Sequence, residues 1–185
     1  RIGNILATES YDNTVKIWDM ESLKATNNVP IKTLIGDNDK VTSIAFNPEG
    51  NLLAVGYVKN TVKIWEMYSY NCIATFKEID SVKSVSFNKT GDILATSSQL
   101  FTNIPKILYK VKYFTFSPNS KLLATNINNE TIKLWNVEKD TNSPIQTIYI
   151  LTDFNLSKEN DYEFKFMFSH NSKILAVVIT QKEKE

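Results

Sequence analysis

The sequence predicts an all-β chain built from repeated four-stranded antiparallel sheets, and three columns of residues predict it. Leu-Ala pairs recur at Leu6-Ala7, Leu53-Ala54, Leu94-Ala95, Leu123-Ala124 and Leu175-Ala176. A phenylalanine stands at one fixed distance before the last four pairs, at Phe46, Phe87, Phe116 and Phe168. The phrases NTVKIWD, NTVKIWE and ETIKLWN follow three of the pairs and carry Trp18, Trp65 and Trp135. Self-similarity of this kind is settled before any other reading, because a repeat dictates the architecture.

The fullest copy, VTSIAFNPEGNLLAVGYVKNTVKIWEM at 41–67, justifies each element in turn. Val41 to Phe46 carries apolar or small groups on both faces, as a strand held between two sheets does. Asn47-Pro48-Glu49-Gly50 is a turn, since Pro48 sets φ and Gly50 permits positive φ. Asn119-Ser120 and Asn171-Ser172 take the same place more weakly. Leu52 to Val55 is a short apolar run bounded by turns, which suits a buried strand. Thr61 to Trp65 is rich in β-branched residues, which favour pleated backbone. A fourth strand follows each Trp, at 31–34, 72–76 and 145–148.

Four short strands at a period near forty resemble a blade of the WD-repeat β-propeller family. The most specific pieces are DNTVKIWD at 12–19 and the phrase Phe-Asn/Ser-Pro-x-Gly/Ser-x-Leu-Leu-Ala. The resemblance implies β-propeller blades in about four to five degenerate repeats. Propellers close with about 4–8 blades, and each blade buries its faces against neighbours. An incomplete ring, or a fragment of a larger propeller, is therefore expected, with the remaining blades outside this chain. The expected division is a partial first blade at 1–40, a second at 41–81, a shortened third at 82–110 and a fourth at 111–151. A polar insertion at 152–161 and a partial fifth blade at 162–185 complete it.

The pattern breaks in places. Leu53 and Leu94 lie 41 residues apart, Leu94 and Leu123 only 29, and Leu123 and Leu175 52. The short spacing predicts a three-stranded third blade. Its outer edge is expected at Ile104 to Leu108, where Pro105 cannot donate to a ladder. The long spacing holds the polar run 152–161, read as a solvated loop, and the connection Glu21 to Val29 is a milder case. Strong family members join a His, an Asp, a Ser or Thr and the Trp in a buried hydrogen-bond network. Here Asp12, Thr8 or Ser10, and Trp18 supply three parts. In the second blade Asp37 and Lys59 stand in the His and Asp columns and are expected to pair. Glu78 and Asn129 depart from the pattern, so the network is expected to be largely absent.

Composition excludes several classes. With 21 basic and 20 acidic residues, the chain has no electrostatic track for nucleic acid, and no such partner is expected. No apolar run reaches the ~18 residues of a membrane helix, so no membrane partner is expected. The one cysteine allows no internal disulfide and no signal peptide is visible, which points to the cytoplasm or nucleus. Three Asn-x-Ser/Thr triplets, at Asn88, Asn129 and Asn155, are read as chance.

Catalytic and ligand-binding readings fail on inventory. The single His170 lies in a turn, where an exposed residue is expected. Cys72 on an outer strand reads as a buried, inert thiol. Asp37-Asn38-Asp39 resembles the start of a calcium loop, but the acidic residue due eleven positions after Asp37 is Pro48. Five scattered glycines build no phosphate loop. Neither a metal, a cofactor nor a catalytic residue is expected. The Trp and Phe columns fall on strands and read as core.

The resemblance implies a non-catalytic scaffold or recognition module for other proteins or peptides, within a larger intracellular protein. Its contact surface would be the narrow face of the ring. By column, the turns before the third strands offer Tyr11, Val58 and Asn128, and the starts of the first strands offer Lys40, Thr42, Lys83 and Lys112. Tyr11 is the best anchor, since exposed aromatics dominate interfaces. The three lysines give that face a mild positive field suited to acidic peptides. An alternative is a regulatory or sensor segment fused to an enzyme, an NTPase or a kinase, encoded outside this chain.

Overall fold

The computed structural model describes residues 4–21, 29–36, 38–78, 80–97, 100–101, 113–128, 131–138, 144–149 and 162–181. The chain divides into two compact units, Arg1–Ser98 and Gln99–Glu185. Every regular element among the described residues is a strand.

The first unit opens with β1 (Ile5–Glu9), β2 (Thr14–Asp19) and β3 (Lys32–Ile35), which pair in sequence order as an antiparallel sheet. The next sheet has four strands, β4 (Val41–Phe46), β5 (Leu52–Tyr57), β6 (Thr61–Glu66) and β7 (Cys72–Lys77), again in sequence order. β8 (Val85–Phe87) and β9 (Leu94–Thr96) then form a short hairpin. The repeat column dictates the register. Leu6 faces Trp18 across the ladder as Leu53 faces Trp65. The first sheet thus begins at the strand equivalent to β5.

The turns follow the expected chemistry. Gly50 and Gly91 have φ of 74° and 80°, the left-handed values that need glycine. The Asn47 side-chain oxygen accepts from Leu52 N at 3.0 Å, and Asn88 does the same for Ile93 N at 3.1 Å. Asn88 is buried in this role, so its triplet offers no accessible amide for a glycan.

The core lies between the first two sheets. Val15, Ile17 and Leu34 meet Leu53, Val55, Tyr57, Trp65 and Met67, with Phe46 and Ile44 packed alongside. β5 is buried on both faces from Leu53 to Tyr57. Its odd-numbered residues, Leu53, Val55 and Tyr57, belong to this core. Its even-numbered residues, Ala54 and Gly56, are small. A Cβ on Gly56 would lie 2.6 Å from Val82 Cγ1, so glycine there lets the chain entering β8 pack close. Val85 N donates to Ser43 Oγ at 3.1 Å and ties β8 to β4.

The second unit begins with the two-residue strand β10 (Leu100–Phe101). The expected edge strand at 104–108 lies outside the described residues, as do the insertion 152–161 and nearly all of the 21–29 connection. A four-stranded antiparallel sheet follows, β11 (Tyr113–Phe116), β12 (Leu122–Asn128), β13 (Thr131–Asn136) and β14 (Gln146–Tyr149). β15 (Tyr162–Phe168) and β16 (Leu175–Gln181) form a hairpin beside it, with β15 next to β11. Ser120 and Ser172, both with φ of 59°, occupy the glycine place of the first unit's turns. Ser172 Oγ also accepts from Asn119 N at 3.2 Å, which links the two turns.

The aromatic columns are less enclosed than a core reading predicts. Trp65 is buried, whereas Trp18, Trp135 and Phe46, Phe87, Phe116 and Phe168 are half-buried. Cys72 corrects its expectation outright: it is exposed. It opens β7, the outer strand of its sheet, where Ile73 is exposed as well. Its thiol donates to Ala74 O at 3.3 Å.

Candidate functional site

At one end of the first unit the β1–β2 turn, the β3–β4 connection, the β5–β6 turn and the entry to β8 come together. The β1–β2 turn runs Ser10-Tyr11-Asp12-Asn13 and closes with Asn13 N on Ser10 O at 3.1 Å and Ser10 N on Thr14 O at 3.0 Å. Asn13 takes a φ of 66°, the left-handed position that asparagine tolerates. Asp12 turns back on the strand and accepts from the Thr14 hydroxyl at 2.6 Å and Lys16 Nζ at 3.0 Å. The Thr14 hydroxyl, and then Lys16, hold its carboxyl well below the usual carboxylate range. With Asp12 folded back, Tyr11 is left at the tip with its side chain fully exposed, 103%.

A cleft of about 330 Å³ opens beside this tip, lined by Glu9, Ser10, Tyr11, Asn13, Lys40 and Val41. The structure therefore brings Tyr11 and Lys40, far apart in sequence, to one place. Val58 joins them through its backbone, N donating to Lys40 O at 3.0 Å, and its side chain is 39% exposed. Lys83 is exposed at the same end, its N–H held by Ser97 Oγ at 2.8 Å. Thr42 does not present its polar group here. Its hydroxyl is buried without a partner, and a β-bulge between Val41 and Ser43 sets it out of the ladder. Asn128 ends β12 in the second unit, and Lys112 lies outside the described residues.

The expected pairing of Asp37 with Lys59 also lies outside the described residues, and a different aspartate meets Lys59. Asp39, buried, accepts from the backbone N–H of Lys59 through Oδ2 and from that of Lys40 through Oδ1 at 2.9 Å. One carboxylate thereby fastens the start of β4 to the β5–β6 turn. Glu78 acts similarly one sheet on. It is buried, accepts the Thr96 hydroxyl at 2.9 Å, and exchanges backbone and side-chain hydrogen bonds with Asn60.

Among the described residues the expected network is reduced to isolated Trp–Thr pairs, and Trp65 Nε1 has no partner. Trp18 Nε1 donates to Thr8 Oγ1 at 2.9 Å, which selects Thr8 over Ser10, and Trp135 Nε1 donates to Thr125 Oγ1 at 2.8 Å. Asp39, read from the sequence only as part of a calcium-loop resemblance, bonds backbone N–H groups, and Glu78, noted there as a departure from the pattern, binds the Thr96 hydroxyl. Glu9 and Asn13 were missed. Each directly flanks the Ser10–Asp12 run, and that adjacency to the Tyr11 turn was the available signal.

No group of three or more metal-ligating side chains gathers among the described residues. His170 is exposed in its turn, as expected. No helix of the described residues is long and apolar enough to cross a membrane.

The family model for the WD domain, G-beta repeat, matches residues 2–19, 28–66 and 70–99. The chain carries WD40 repeats. The sheets of the first unit are accordingly blades of the WD40 propeller type. WD40 repeats generally serve as non-catalytic modules that bind other proteins. Residues 113–149 lie beyond the matched stretches yet repeat the same four-stranded plan, Leu123 facing Trp135 as Leu53 faces Trp65. No curated protein matches this WD-repeat chain.

Proposed function

We propose that this chain is a non-catalytic recognition module of an intracellular protein, and that it binds partner proteins through the end of the first unit that carries Tyr11, Lys40, Val58 and Lys83. The observation that carries the reading is the fully exposed Tyr11 ring standing over a cleft that also holds Lys40. A tyrosine at a tight turn loses little conformational freedom on binding and offers a large contact area, which makes tyrosines frequent hot spots. Asp39 fixes the Lys40 backbone from below, so the surface is ordered before a partner arrives. The intracellular assignment is supported by the single cysteine, Cys72, which leaves no internal disulfide.

The test is selection of displayed random 12-residue peptides on the 185-residue chain, followed by fluorescence anisotropy against Tyr11→Ala. Enriched peptides are expected to bind the variant at least about tenfold more weakly, about 1.4 kcal/mol. The unfolding midpoint should not move. Peptides that bind both forms equally would place the contact surface elsewhere.

A further inference from the structure

We propose that the cleft beside Tyr11 takes an extended peptide segment of a partner protein in which a basic side chain stands close to an acidic one. The inference rests on the recognition-module reading above and names the chemistry of the partner. Lys40 and Lys83 taken alone favour an acidic peptide. The cleft, however, is lined by Glu9 as well as Lys40. Glu9 ends β1 and Lys40 precedes β4, so the two charges come from separate sheets. Both side chains are exposed. They do not pair with each other, and neither has an ion-pair partner among the described residues. An anion and a cation held apart at one cleft are matched by a ligand that carries both signs, and a purely acidic ligand is repelled at Glu9.

Tyr11 sets the order. An aromatic face attracts a cation, and a carboxylate nearby adds to that attraction. The basic side chain of the ligand therefore lies against Tyr11 and Glu9, and its acidic side chain reaches Lys40. Glu9 and Lys40 line one cleft of about 330 Å³, which admits only a short run of extended chain. The two ligand charges thus fall within about three positions of one another. Asn13 also lines the cleft, and its amide offers both donors and an acceptor to a peptide backbone.

The experiment uses the 185-residue chain and the displayed random 12-residue peptides. Selected peptides are expected to carry Lys or Arg within three positions of Asp or Glu. Glu9→Gln and Lys40→Gln should each weaken their binding about threefold to tenfold, at unchanged unfolding midpoint. The weakening should fade as salt is raised. Glu9→Lys combined with Lys40→Glu should select peptides with the two charges in reversed order. Peptides that depend on Tyr11 but lack the charge pair, or that ignore both glutamine variants, overturn this inference and leave the recognition reading standing. Peptides that never depend on Tyr11 overturn the reading itself and this inference with it.

Discussion

Trp65 stands in the same register to Val55 as Trp18 does to Thr8, and the valine offers its indole nothing to bond. Thr8 and Thr125 each accept an indole N–H two positions along the neighbouring strand. Trp65 Nε1 is buried with no partner. Val55→Thr is therefore expected to stabilise the chain by about 1 kcal/mol, the net value of a hydrogen bond supplied to a buried donor. Thr8→Val should cost a similar amount by stranding Trp18. Urea midpoints of the two variants check both signs.

Gly36 has no room for a side chain. A Cβ there would lie 2.3 Å from Tyr57 Oη and 2.6 Å from its ring, and Tyr57 is 1% exposed in the core. Gly36→Ala is expected to destabilise by about 1–3 kcal/mol through overpacking. Removing the hydroxyl by Tyr57→Phe should recover little, because ring carbons are also in the way. A double-mutant cycle on urea unfolding measures the recovery.

Asp39 satisfies two backbone N–H groups from a buried position. Asp39→Ala should cost about 1–3 kcal/mol by leaving them unpaired. It should also loosen the β5–β6 turn, which amide hydrogen exchange at Lys59 would report. Exchange at Lys59 as slow as in the parent chain would refute the role assigned to the carboxylate.

Asp12 and Asp92 both ionise more readily in the folded chain than in the unfolded one. Asp12 is held by Thr14 and then Lys16, Asp92 by Thr90 and then Asn88. A carboxyl with a depressed folded value adds stability above its unfolded value of 3.8 and loses it as pH falls further. The stability advantage of the parent chain over Asp12→Asn and over Asp92→Asn should accordingly shrink below about pH 4. Urea midpoints at pH 7, 4 and 3 test this, and an advantage that grows on acidification would contradict it.

Tyr11→Ala should leave stability within about 0.5 kcal/mol, since the ring touches little of its own chain. Loss of peptide binding without loss of stability would separate contact from folding at this position.

Strand order and register were legible in the sequence because the repeat column carries them. Leu53, Phe46 and Trp65 recur at positions that only a pleated, regularly turning chain would keep, and a period-two backbone converts such a column directly into faces. The turns were legible for the same reason, Gly50 and Gly91 marking positive φ. The Tyr11 tip could be read from Asp12, whose side chain commonly folds back on its own turn. What no column could show was which side chains meet between separate turns and sheets. Asp39 reaches Lys59, Glu78 reaches Thr96, and Glu9 shares a cleft with Lys40. Cys72 was placed rightly on an outer strand but misjudged as buried, because a position on a strand does not say whether a neighbour covers it. By itself, then, the sequence determined the strands, their pairing and the family, since these depend on local period and on neighbours in the chain. Only the tertiary structure decided the buried carboxylates, the orphaned indole and the charge pattern at the cleft. Those depend on how side chains from separate strands, turns and sheets are brought together, which packing sets.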